Sequence, residues 1–280
     1  MKFAKTTPVE YTISMPAPGT HLFHVKILFK QLPKNGKLVL KMPAWRSGRY
    51  FIFDFAGGVQ EFSAVNEKNN TLAWQKTDKL TWQIDTKGKE VTVEYKVFGN
   101  EFLQRTRGLD TEHAFINNTA VFMFSPLLYK KQLTLKVVPF ENWHVTTGME
   151  RVENDENKFY APNYDYFADC PLEIGTQDDF CFDVNGIKHT VSIFGNANYD
   201  KERLIKDFTT IIKKNFEFWG KVPYEHYTFI VHCTPQSGGG TEHINSTVVG
   251  VRPQQFESEE GYTNFLRLIS HEFFHTWNVK

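Results

Sequence analysis

The hydrophobic pattern of this chain changes period once, near residue 176, and that change limits the possible folds more than any other feature. Upstream of it, apolar and polar residues alternate in short runs at residues 21–29 (HLFHVKILF), 37–42, 80–85, 90–98 and 132–138. Such alternation puts successive side chains on opposite faces, as a half-buried strand requires. Clusters of turn formers at residues 33–36 (PKNG) and 86–88 (TKG) separate the runs. No helical period intervenes, so residues 1–176 are expected to form a mainly β N-terminal domain, either a sandwich or one large twisted sheet. The 26 phenylalanines suit this reading, because flat rings pack well on pleated surfaces.

Downstream the repeat lengthens. Residues 184–194 read as a hairpin around Asn185-Gly186. Leu204, Ile205, Phe208, Ile211, Ile212, Phe216 and Trp219 then recur at steps of three and four, which predicts an amphipathic helix over residues 199–219 with Asp200 near its start and Gly220 and Pro223 beyond its end. Residues 227–233 and 246–251 read as buried strands, and residues 237–240 as a glycine-rich loop. A last helix is expected from Ser258, with Glu259 and Glu260 favouring its positive end. Its face carrying Phe265, Ile269 and Phe273 needs cover on more than one side and is expected to be left partly open. Residues 177–280 are therefore expected to be an α+β domain.

Composition removes several function classes. Lys plus Arg and Asp plus Glu number 32 each, so the overall charge favours neither nucleic acid nor an anionic membrane. No apolar run approaches the roughly 18 residues of a membrane span, and the N-terminal segment lacks a signal-like apolar core. A cytoplasmic location is expected, or a periplasmic one if a signal has been trimmed. Cys170, Cys181 and Cys233 are too irregularly spaced for a disulfide framework or a thiolate zinc site and are expected to be buried thiols. Arg49 and Asp54 are a candidate ion pair, and Arg105 and Arg107 are candidates to approach a catalytic cleft; none is given a chemical role.

Chemistry concentrates near the C-terminal end. His271-Glu272-Phe273-Phe274-His275 places two imidazoles at i and i+4, on one helical face, where they can converge on one zinc ion while Glu272 points beside it. Chance would produce such a motif in roughly two or three chains per hundred of this composition, so its helical placement weighs heavily. Catalytic zinc needs a third protein ligand. Gly238-Gly239-Gly240-Thr241-Glu242-His243 is the second candidate: glycines allow close backbone approach, and Glu242 can pair with a substrate α-amine. A glycine turn with an exposed acid is the plainer alternative. His243 is open to two roles, as a further ligand or as a hydrogen-bonding group near the substrate.

Four stretches carry a family resemblance: HEFFHTWNVK from His271, GGGTEH from Gly238, and the upstream segments MPAWRSGRYFIFDFAGGVQEFSA from Met42 and RTRGLDTEHAFINNTAVFMF from Arg105. Together they resemble the glycyl aminopeptidase family, relatives of thermolysin among the gluzincin zinc peptidases. The resemblance implies zinc held by His271, His275 and a downstream Glu, with Glu272 as general base. It implies that Glu242, with Gly239, Gly240 and His243 around it, binds a peptide with a free N-terminus and that small N-terminal residues, Gly or Ala, are preferred. The substrate backbone is expected to add to an edge strand at residues 246–251. Because the chain stops at Lys280, the thermolysin-like domain is expected to be truncated, to lack its third ligand and to be inactive alone, with a PDZ-like module among the missing parts. Two departures stand out: the family's Trp-x-Pro-Gly-x-Tyr appears without its proline as Trp45 to Tyr50, and Thr241 follows the last glycine where an apolar residue is usual. The competing expectation is a peptide- or glycan-binding β module with a degenerate, zinc-free protease half.

Overall fold

The computed structural model describes residues 7–33, 35–46, 50–102 and 106–280. Lys34 of the expected turn, the proposed partner Arg49 and Arg105 lie outside the described residues. The protein is mainly β, with 42% strand against 22% helix. It divides into two compact units: residues 7–102, Thr106–Val145 and Met149–Gly175 form the first, and Thr146–Gly148 with Thr176–Lys280 form the second.

In the first unit the alternating runs are strands, at Leu22–Phe29, Asn35–Lys41, Thr81–Lys87, Val91–Phe98 and Leu133–Val138. Its largest sheet has seven strands, in the order 150–151, 158–161, 133–138, 9–14, 22–29, 91–98 and 59–66. Val9–Ser14 runs parallel to Leu133–Val138 and antiparallel to Leu22–Phe29. One face is buried: Val9, Tyr11 and Ile13, with Val91, Val93, Tyr95 and Val97, point into a single core. That core also encloses the irregular segment from Ala120 to Met123, whose backbone must find partners away from water. Three buried tyrosine hydroxyls supply them: Tyr11 donates to the Met123 carbonyl at 2.9 Å, Tyr95 to Val121 at 2.9 Å and Tyr164 to Phe122 at 2.6 Å. Burial pushes the Tyr95 and Tyr164 hydroxyls well above the ordinary phenol range, so they remain donors. Asp54 pairs with Lys79 at 3.0 Å, and Arg107 donates to the Phe98 carbonyl at 2.8 Å.

The second unit contains the elements that carry the candidate chemistry, labelled here in chain order: β1 (Asp178–Val184), β2 (Ile187–Gly195), α1 (Lys201–Trp219), β3 (His226–Cys233), β4 (Gly239–Glu242), β5 (Ser246–Val251) and α2 (Glu259–Phe274). β1 and β2 form a hairpin whose turn residues Asn185 and Gly186 both have positive φ, 56° and 80°, as the asparagine-glycine pair permits. The sheet order is β1-β2-β3-β5-β4, with β2, β3 and β5 parallel and both edges antiparallel. The Asp200 carboxylate caps α1 by accepting from Glu202 N at 2.9 Å and Arg203 N at 3.1 Å, and Gly220 ends it at φ 70°. Ser258 caps α2 by accepting from Gly261 N at 3.1 Å.

Four expectations need correction. The glycine-rich stretch is a loop only in its first half; Gly239–Glu242 pairs with β5 and forms the edge of the sheet. It follows that Ser246–Val251 is not an edge, because β3 and β4 flank it on both sides. Phe265, Ile269 and Phe273 are almost fully buried rather than left open. Rings of Phe208, Tyr227, Phe229 and Phe256 pack against Phe265 or Phe273. Of the three thiols, Cys170 and Cys233 are buried but Cys181 is exposed on the outer strand β1.

Candidate metal centre

α2 presents a buried stripe of Tyr262, Phe265, Ile269, Glu272 and Phe273. Glu272 occupies a position where helical spacing calls for an apolar side chain, and it is 5% exposed. Burying a carboxylate this way is expensive unless a partner compensates it. Its neighbours show what the partner can be. One ligand atom each from Glu242, Glu272 and His275 lie within 4.8 Å of one another, bringing the end of β4 to the end of α2. His271 joins through His275, the two Nε2 atoms facing each other at 3.2 Å.

The donor types and the spacing of the two histidines fit a zinc ion. Two nitrogens bound to one tetrahedral zinc at 2.0–2.1 Å lie about 3.3 Å apart, close to the separation seen. His275 Nδ1 lies 3.1 Å from the Asn278 carbonyl oxygen. A carbonyl only accepts, so Nδ1 carries the proton and Nε2 is left with the lone pair a metal requires. His275 is also the C-cap of α2, where the negative end of the helix dipole favours a cation. Two carboxylates at this distance repel each other unless a proton or a cation lies between them. Oxygen and imidazole nitrogen together are a donor set zinc accepts.

The remaining expected site residues are placed differently. Gly240 lies directly beside the Glu272 side chain. Gly239 is exposed, with φ 78° and open space around it. His243 is buried in the short connection between β4 and β5, its backbone N donating to the Ser246 carbonyl at 2.9 Å; it is outside the three-residue donor cluster. Residues after the motif contribute support that motif spacing does not reveal. Besides the Asn278 carbonyl, Trp277 Nε1 donates to the Lys221 carbonyl at 2.7 Å and Thr276 Oγ1 to the Tyr227 hydroxyl at 3.4 Å. The only sequence hint of this is that polar and aromatic residues continue beyond the second histidine.

Solved structures share this fold. An aminopeptidase N family protein from Idiomarina loihiensis matches with a TM-score of 0.91 and 28% identity, over 97% of this chain and 48% of its own. An M1 zinc metallopeptidase from Deinococcus radiodurans matches with TM-scores of 0.58 as a point mutant, at 11% identity, and 0.57 as the parent protein, at 10% identity; each match covers 96% of this chain and 63% of that one. The chain thus spans about half the length of the Idiomarina protein. No curated protein matches it. The fold class is therefore the one seen in aminopeptidase N-like proteins. Residues 10–176 match the peptidase M61 N-terminal domain, and the chain belongs to that family.

Proposed function

We propose that this chain contributes the zinc-binding helix and the substrate-anchoring strand of an aminopeptidase of the glycyl aminopeptidase type, which hydrolyses N-terminal peptide bonds and favours Gly or Ala. Residues 1–176 are assigned to its β domain and 177–280 to a thermolysin-like catalytic domain. The observation that carries the reading is the convergence of Glu242, Glu272 and His275, with His271 Nε2 3.2 Å from His275 Nε2.

His271 and His275 would hold the metal, which when bound polarises a carbonyl and makes a water acidic near neutral pH. Glu272, buried and beside the histidines, accepts the proton of the attacking water and returns it to the leaving amine. Glu242 pairs with the α-ammonium of the substrate and so sets the register of cleavage. Among the described residues β4 is the last strand of its sheet, and a substrate backbone can add along its outer edge. A second reading follows from the same cluster: with its carboxylate within 4.8 Å of the His275 ligand atom, Glu242 is itself placed to be a metal ligand.

Competition against a chromogenic chelator tests both. Zinc affinity should fall at least tenfold in His275→Ala, because each ligand supplies a large share of the site's affinity, and should stay near wild type in Glu272→Gln. An equal loss in Glu242→Gln would favour the ligand reading. Zinc binding indifferent to His275 would leave a peptide- or glycan-binding module as the better account.

A further inference from the structure

The three consecutive glycines before Glu242 differ in what a side chain would meet and in backbone conformation. Gly238 has open space where a side chain would go. Gly239 has equally open space but a φ of 78°, so its need is conformational. Gly240 has an ordinary φ, and its surroundings are full: a methyl group there would come within 2.6 Å of both Cγ and Cδ of Glu272, and closer still to Oε1.

What gives way under such a clash depends on what is fixed. Gly195 and Gly261, elsewhere in the unit, are blocked by the backbone of Cys233 and Gln255, so a side chain there would disturb the fold itself. At Gly240 the obstacle is the far end of one flexible side chain. The strand is the stiffer partner. Gly240 is paired with Val249 in the β4–β5 ladder, Thr241 Oγ1 donates to the Gly240 carbonyl at 2.8 Å, and Thr247 Oγ1 donates to the Thr241 carbonyl at 3.0 Å. Glu272 would therefore move, and away from the cluster that places its carboxylate within 4.8 Å of Glu242 and His275.

We infer that Gly240 is a positioning residue for Glu272: the absent side chain at 240 is the space that holds the Glu272 carboxyl in line with His275 and Glu242. This rests on the reading of Glu272 as the proton acceptor. It differs from a role for Gly240 in touching substrate, which would act on binding. A displacement of about 1 Å in a catalytic group costs on the order of a hundredfold in rate, so even partial displacement is measurable.

The experiment compares wild type, Gly240→Ala and the control Gly238→Ala in the full-length protein. It measures kcat and KM on an N-terminal glycyl substrate, zinc content, and the crystal structure of each variant. Gly240→Ala should lower kcat at least tenfold with KM within about twofold of wild type and zinc content unchanged, and its crystals should show the Glu272 carboxylate displaced from His275. Gly238→Ala should match wild type throughout. A raised KM at unchanged kcat, or a Glu272 side chain in its original place, would overturn the proposal. If Gly240→Ala does not fold, Gly240→Ala combined with Glu272→Ala should restore folding, because the obstacle is then gone; failure to restore it also overturns the proposal. If wild type hydrolyses no peptide, the aminopeptidase reading falls, and the position of Glu272 in the variant crystals still decides whether Gly240 places it.

Discussion

At the scale of single residues, two glutamates near one another are assigned different work, and the difference is measurable. If Glu242 pairs with a substrate ammonium, Glu242→Gln should cost roughly 2–4 kcal/mol of transition-state binding for free peptides and leave the already poor cleavage of N-acetylated peptides unchanged. Glu272→Gln should abolish turnover of every substrate with zinc still bound, since it removes a base and not a ligand. Equal slowing of free and blocked peptides by Glu242→Gln would point to an endopeptidase. His189 gives a second test, of stability. It is fully buried, with Nδ1 2.9 Å from the Ile187 carbonyl and Nε2 3.0 Å from the Tyr224 hydroxyl. Burial pushes its imidazole down to about 4, against the raising influence of the Ile187 carbonyl and Asp183 and with a small further lowering from His226. The unfolded chain takes up that proton near pH 6.5 and the folded one does not. Its contribution is therefore complete above about pH 6.5 and is lost as pH falls towards 4, by up to about 3 kcal/mol. Urea unfolding across that range should show the slope, and His189→Gln should flatten it.

At the scale of elements, the stability of the helix bearing the motif depends on its two ends and on α1 beside it. The Arg203 guanidinium makes a two-pronged contact with Glu259, at 2.8 and 2.6 Å, and lies 4.1 Å from the centre of the Tyr262 ring, while the Tyr262 hydroxyl donates to Asp207 at 2.9 Å. The ion pair is exposed and contributes little. The Tyr262 bond and the Ser258 cap should contribute more. Tyr262→Phe and Ser258→Ala are each expected to cost about 1 kcal/mol, read as lowered denaturation midpoints with unchanged slope. A midpoint unmoved by Ser258→Ala would mean that packing of the buried stripe alone holds the first turn.

At the scale of the whole molecule, a formal net charge of zero at pH 7 supplies no repulsion between copies. Tyr50, Phe51 and Ile52 stand consecutively exposed, at 104%, 61% and 70%. Concentration-dependent association is expected at neutral pH. Replacing Phe51 and Ile52 together by Ser should suppress it in sedimentation runs. A wild type monomeric at every concentration would contradict this. Among the described residues no helix is long and apolar enough to cross a membrane.

Much of this was legible in the residues alone because the relevant forces act over a few positions. Alternation determined the strands at Leu22–Phe29 and Val91–Phe98, three- and four-residue spacing determined α1, and one turn of helix brought His271 to His275. Tertiary structure alone decided that Gly239–Glu242 is a sheet edge, that the carboxylate of Glu242 meets Glu272 and His275, and that Gly240 lies against Glu272. It also decided that three distant tyrosines satisfy the buried Val121–Met123 backbone. The physical reason is one of range. Backbone geometry sets a side chain's face from its near neighbours, whereas strand order and the meeting of groups thirty residues apart depend on which surfaces pack together, and no local period encodes that choice.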